Sequence, residues 1–209
     1  MTPPVKIGQF DPDLVTSTLN AVHTACDRWM PRGHFHTLGA SAYLDDIGDY
    51  IAAANAQRQW MLDTFKDAYD VIGTALSGVV PERNLTTVLQ PFAAAPGFHI
   101  FEHDAMGYEP SKHLDLPFQR VLWPEPFSNP FTFTVLLEQP EAGAGSDWWA
   151  TLDSHDPTRV IYELGAIYIH DGLTPHAIAP LLIENGEYRI TLQGHGAYMM
   201  HSDVLAVYF

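Results

Sequence analysis

From Asn84 to Phe209 the chain breaks into short runs rich in β-branched and aromatic residues, each ended within a few positions by Pro, Gly or Asp. Runs at 84–90, 97–103, 118–123, 131–138, 147–152, 159–163, 165–170, 187–194 and 202–209 read as strands, and no stretch between them keeps a helical period. A parallel pair needs a crossover of a dozen or more residues, commonly a helix. Strand after strand without such helices predicts an antiparallel sandwich or barrel rather than a parallel sheet.

Residues 1–82 read differently. Asp11-Pro12-Asp13 offers a cap and an early proline, and Leu14, Val15, Thr18, Leu19, Val22, Cys26 and Trp29 follow at near-helical spacing up to the stop at Pro31-Arg32-Gly33. Cys26 on this stripe reads as a buried apolar residue. After Asp45-Asp46, the residues Ile47, Tyr50, Ile51, Ala54, Met61, Phe65, Tyr69, Ile72 and Leu76 step by threes and fours until Gly78 and Pro81. The spacing predicts a helix over about 46–77, bent near 57–60. The expectation is one α+β domain of 209 residues, with a helical portion at 1–82 and a β core at 83–209.

Composition narrows the partners. Hydrophobic residues make up 46% of the chain, with 11 Phe, 9 Tyr and 5 Trp, ample for a buried core. Ten Lys and Arg stand against 25 Asp and Glu, a formal charge of −15, so nucleic acid and anionic membrane would meet repulsion. The single Cys26 forms no internal disulfide, residues 1–9 lack the basic start and apolar middle of a signal peptide, and no apolar run is long enough to span a bilayer. The expected setting is the cytoplasm. Eleven histidines against three lysines point instead to transition-metal chemistry.

His113-Leu114-Asp115 places an imidazole and a carboxylate two residues apart, on one side of an extended segment. His176 follows 63 positions later, and two His with one carboxylate on one face of a metal leave the opposite face open. Thirteen positions further on, Arg189-Ile190-Thr191 puts a guanidinium and a hydroxyl on one side of a strand, donors suited to a carboxylate.

At these residues the sequence resembles the Fe(II)- and 2-oxoglutarate-dependent oxygenases, whose pattern is His-x-Asp, a distal His and a basic residue about one strand beyond, often followed two places on by Ser or Thr. Gly107-Tyr108-Glu109-Pro110 resembles the family's approach to its first ligands, and Gly143-Ala144-Gly145-Ser146-Asp147-Trp148-Trp149 its glycine turn. The resemblance covers roughly residues 97–199 and implies a double-stranded β-helix, the cupin-like jelly roll. It further implies that His113, Asp115 and His176 hold Fe(II), and that Arg189 and Thr191 grip the far carboxylate of 2-oxoglutarate. O₂ is the oxidant, and succinate and CO₂ are co-products. Because halogenating relatives lack the carboxylate ligand, Asp115 favours hydroxylation, desaturation or cyclisation.

The expected substrate is a small organic molecule such as an amino acid or natural-product intermediate, with Tyr108, Arg120, Phe131, Trp148 and Arg159 as candidate contacts. A cupin-like metal-binding module, or a metal-dependent isomerase without 2-oxoglutarate turnover, is the alternative; the module has no need of the Arg189-x-Thr191 pair, and succinate release during turnover distinguishes the isomerase. His34 and His36 lack a later partner at matching spacing and read as structural; His99 and His103 on a strand would stand about 13 Å apart, too far for one compact metal site; His155 and His170 are open at this level.

Overall fold

The computed structural model describes residues 3–79, 86–89, 93–102, 111–121, 123–202 and 204–209, the segment 86–89 by its backbone alone. Asp11 accepts a hydrogen bond from the Leu14 amide at 2.8 Å and caps α1 (Pro12–Thr24). That bond satisfies one of the four N-terminal amides a helix leaves open. The long helix expected over 46–77 is two helices, α2 (Ile47–Thr64) and α3 (Lys66–Ser77), and the break falls at Phe65 rather than at 57–60. No Pro or Gly causes it. The Phe65 ring is buried against Phe98, centroids 4.6 Å apart, so an aromatic anchor in the core turns the chain. Cys26 lies just past α1 in a 3₁₀ turn and is exposed, which corrects the expectation of burial.

The N-terminal portion also carries three strands. β1 (Val5–Gln9) pairs antiparallel with β9 (Ala166–Asp171), while β2 (Met30–Pro31) and β3 (His36–Leu38) form a small hairpin at the opposite edge. Such strands are created by their partners, and five or fewer residues give too little alternation to read. The remaining strands are β4 (Thr86–Leu89), β5 (Gly97–Phe101), β6 (Phe127–Glu138), β7 (Gly145–Trp148), β8 (Thr158–Ile161), β10 (His176–Ile178), β11 (Arg189–Met199) and β12 (Val204–Tyr208). The expected strand at 118–123 is instead a 3₁₀ turn over Pro117–Gln119. Pro117, with φ fixed and no N–H, opens a turn readily and cannot donate to a ladder.

Among the described residues nine strands form one sheet, ordered β1-β9-β6-β11-β5-β3-β2, with β12 joined to β11 and β4. Its pairs are antiparallel except β12 with β4. A second sheet, β10-β7-β8, is antiparallel throughout.

Side chains alternate across a strand, and that alternation sorts the large sheet into two faces. Phe98, Ile100, Phe131, Phe133, Val135, Leu137, Ile190 and Leu192 join one core cluster with Val15 and Val22 of α1 and Ala68, Ile72 and Leu76 of α3. The residues in between, including His99, Thr132, Thr134, His170, Arg189 and Thr191, are buried as well, yet polar. Buried polar groups need partners, and on that second face Thr132 finds one in Asp115 and His99 one in the Tyr43 hydroxyl. Among the described residues no helix is long and apolar enough to cross a membrane.

Candidate metal centre

Three main-chain bonds bring the distant ligand candidates together. The His113 amide donates to the His176 carbonyl at 2.9 Å and the His176 amide returns the bond at 3.0 Å, an isolated antiparallel bridge. The Asp115 amide donates to the Gly172 carbonyl at 2.7 Å. A Cβ at Gly172 would lie 3.2 Å from both the Cβ and the carbonyl oxygen of Asp115, so glycine permits this approach. In the result, one ligand atom each from His113, Asp115 and His176 lies within 4.8 Å of the others, and the trio could hold a metal ion.

The imidazoles are oriented for that task. His113 Nδ1 lies 2.7 Å from the Ser111 carbonyl and His176 Nδ1 lies 2.9 Å from the Thr174 carbonyl. A carbonyl only accepts, so the hydrogen bonds assign the ring proton to Nδ1 and leave Nε2, the nitrogen turned toward Asp115, as the one able to ligate. Fixing of this kind is the usual support for a ligating histidine. Trp148 holds His176 from behind, its ring stacked at 4.7 Å and 16°. His170, on β9, also sets Nδ1 against a carbonyl, that of Asp171 at 3.2 Å, and its Nε2 stands 3.9 Å from Asp115 Oδ2.

Charge and burial act against each other here. Burial opposes ionisation of Asp115, but the surrounding imidazoles, His176 foremost, outweigh it and hold the carboxyl well below the usual carboxylate range. Burial likewise disfavours protonated His176, and Asp115 overrides it, so the net shift of His176 is upward. His170, buried beside His176, is pushed down to about 3 and stays neutral.

A cavity of about 160 Å³ opens on the trio. Arg189 lines it, 3% exposed, with its guanidinium 5.6 Å from the Phe101 ring centroid. Ser146 and Tyr162 line it too. The Trp148 indole donates to Ser146 Oγ at 2.6 Å, and Ser146 donates to the Tyr162 hydroxyl at 3.0 Å. Ser146 accepts from the indole and gives its single hydrogen to Tyr162, which leaves the Tyr162 hydrogen for a further acceptor. Burial first, offset in part by Ser146 and Arg189, leaves the Tyr162 phenol pushed up to about 12, hence protonated. Thr191 shares the face of Arg189 but is 1% exposed and does not line the cavity among the described residues.

The candidate substrate contacts fare unevenly. Tyr108 lies outside the described residues, as do 107–110 as a whole. Arg120 is exposed and donates to the carbonyls of Ala42 and Asp45 at 3.3 and 3.4 Å, away from the cavity lining. Phe131 is one residue out of phase with Thr132 and Thr134, so it points into the helix-covered core. Arg159 pairs with Asp147, at 2.8 Å to each carboxylate oxygen, on the opposite side of the small sheet from Ser146 and Trp148. Trp148 touches His176 and His170 without lining the cavity.

Phe35, Tyr43, Thr134 and Gln193, none of them singled out in the sequence, also line it, and so do His99 and His170. The Tyr43 hydroxyl is hydrogen-bonded to His99 Nε2. The alternation Phe131-Thr132-Phe133-Thr134 was the available signal, since threonines in phase on a buried strand mark its polar face.

No protein-family profile matches the chain, and no curated protein matches it in sequence. Solved structures do match. The non-haem α-ketoglutarate-dependent epimerase SnoN from nogalamycin biosynthesis is similar at a TM-score of 0.52 and 15% identity, over 92% of this chain and 76% of that one. The non-haem α-ketoglutarate-dependent carbocyclase SnoK from nogalamycin biosynthesis has a TM-score of 0.49 at 13% identity, over 94% of this chain and 81% of its own. AviO1 from Streptomyces viridochromogenes Tue57 has 0.49 at 11%, over 91% and 88%. The likeness to SnoN is one of fold, and the chemistry has to be argued from this chain's residues.

Proposed function

We propose that the chain is an Fe(II)- and 2-oxoglutarate-dependent oxygenase of a small organic substrate. In this reading it is a single domain whose helices, within residues 1–82, back a double-stranded β-helix formed by 83–209. The observation that carries the reading is the convergence of His113, Asp115 and His176 within 4.8 Å on a cavity that also holds buried Arg189. A metal-binding module without turnover has no use for a buried guanidinium at that place.

The donor set fits these groups. Two imidazoles and one carboxylate suit Fe(II) and leave coordination positions open. Arg189 would take the far carboxylate of 2-oxoglutarate, a charge-assisted bond in a water-poor site. Tyr162, whose hydrogen is free to donate, is the second donor in place of Thr191. With iron, the oxo acid and O₂ bound, the site would supply C–H oxidation, with succinate and CO₂ as co-products.

The chain's own residues then have defined tasks. Nδ1 contacts hold both histidines in the ligating tautomer, and Trp148 prevents His176 from swinging. Phe35, Phe101, Leu114, Leu116 and Ile178 present an apolar wall, while Tyr43 and His99 offer neutral polar groups for orienting the substrate. Hydroxylation, desaturation or cyclisation is the expected outcome.

Turnover tests the reading. The protein incubated with Fe(II), ascorbate, 2-oxoglutarate and a panel of amino acids and natural-product intermediates should release succinate, faster with the right substrate. Tight iron binding with no succinate under any condition would favour the metal-binding module.

A further inference from the structure

Beneath Asp115, three polar side chains stand in one row across adjacent strands. In the register of the large sheet Thr132 of β6 faces His170 of β9 on one side and His195 of β11 on the other. Thr132 is 0% and His195 2% exposed. A valine would fill the same volume at position 132 without burying a hydroxyl, so the hydroxyl needs a reason.

Its contacts supply one. Thr132 Oγ1 donates to Asp115 Oδ2 at 2.6 Å and lies 2.9 Å from His195 Nδ1. A threonine hydroxyl has a single hydrogen. With that hydrogen on the carboxylate, the oxygen can only accept from His195, so His195 carries its proton on Nδ1. The opposite nitrogen, Nε2, is buried and has no hydrogen-bond partner among the described residues. Burial keeps the ring neutral, its pKa pushed down to about 4. The row therefore has a direction, with each donor strengthening the next.

We infer that Thr132 and His195 are positioning residues that pin the Asp115 carboxylate through this relay and so determine how it is presented to a divalent cation. The inference rests on reading Asp115 as a metal ligand. A bond of 2.6 Å is at the short, strong end for a hydroxyl on a carboxylate, and it stops the group from rotating. Both oxygens then face imidazoles, Oδ1 3.8 Å from His113 Nε2 and Oδ2 3.4 Å from His176 Nε2. Outer hydrogen bonds of this kind commonly alter metal affinity 10–100-fold.

The test uses Co(II) as probe, titrated into the full-length metal-free protein by calorimetry, with the visible absorption of bound cobalt recorded at saturation. Thr132→Val should bind about 10–100-fold more weakly with an altered cobalt spectrum, and Thr132→Ser should recover affinity and spectrum to within about threefold. His195→Phe removes the first donor without touching Thr132 and should weaken binding by roughly 3–10-fold, which also serves should Thr132→Val fail to fold. Parent affinity and spectrum in Thr132→Val overturn the inference; so does equal weakness of Thr132→Val and Thr132→Ser, which would assign the effect to shape. If Thr132→Val is unfolded, parent affinity in His195→Phe overturns it. Asp115→Asn is measured alongside. Unchanged cobalt binding there would refute the metal site itself, whereas lost binding there with parent binding in the relay variants would refute the relay alone.

Discussion

The indole of Trp148 lies flat against the imidazole of His176, centroids 4.7 Å apart and planes within 16°, while its N–H is tied to Ser146. One side chain thus backs a proposed iron ligand and anchors the hydroxyl chain that ends at Tyr162. Replacing Trp148 by Ala should cost about 3–5 kcal/mol of stability, the usual range for a buried tryptophan. Metal affinity should also fall by roughly tenfold as His176 loses its backing. Chemical denaturation and Co(II) calorimetry measure the two effects, and a variant with lowered stability but parent metal affinity would show that the stacking is packing alone.

Arg189, Tyr162 and Thr191 separate the acid-binding assignment into parts. Arg189→Leu should weaken 2-oxoglutarate binding to the Co(II)-loaded protein by about 2–5 kcal/mol. Tyr162→Phe should cost about 1.5–3 kcal/mol, the range for a hydrogen bond to a charged group. Thr191→Val, at a residue outside the cavity lining, should change affinity by less than about 0.5 kcal/mol. A loss at Thr191 as large as that at Tyr162 would return the second donor to the strand of Arg189.

His99 gives the apo protein an acid sensitivity of known sign. Burial, with Arg189 nearby, pushes its pKa down to about 3, against about 6.5 for an unfolded histidine. Between those values the unfolded chain holds a proton that the folded chain does not, so stability is full above about pH 6.5 and falls as acid is added. From pH 7 to pH 5 this group should remove about 2 kcal/mol. Urea unfolding at the two pH values should show a drop smaller by that amount in His99→Phe, and an unchanged drop would mean that His99 takes up its proton in the folded state.

How much of this was legible in the sequence depends on the range of the interaction. Asp11 capping α1 and most strands of the β core follow from local pattern, although β10 at His176–Ile178 is too short to read and 118–123 is no strand, and His113, Asp115 and His176 stand out because their chemistry is specific even when their separation is long. Short edge strands such as β1 did not stand out, since pairing with β9 and not local propensity makes them. Phe131 is a pocket candidate in the sequence because its segment borders the proposed metal ligands, whereas strand parity turns it to the helices and gives the site Thr132 and Thr134 instead. Tyr43 and His99 reach the cavity from a loop and from β5, a juxtaposition that depends on how the loop packs over the sheet.

The most direct test of the central claim is the visible absorption of the protein with Fe(II) and 2-oxoglutarate under strict exclusion of O₂. Chelation of iron by the oxo acid produces a metal-to-ligand charge-transfer band that neither component gives alone. The parent should show the band, Arg189→Leu should need far more 2-oxoglutarate to reach it, and His176→Ala should lack it. A parent protein that binds Fe(II) at His113, Asp115 and His176 yet shows no band at saturating 2-oxoglutarate would contradict the account.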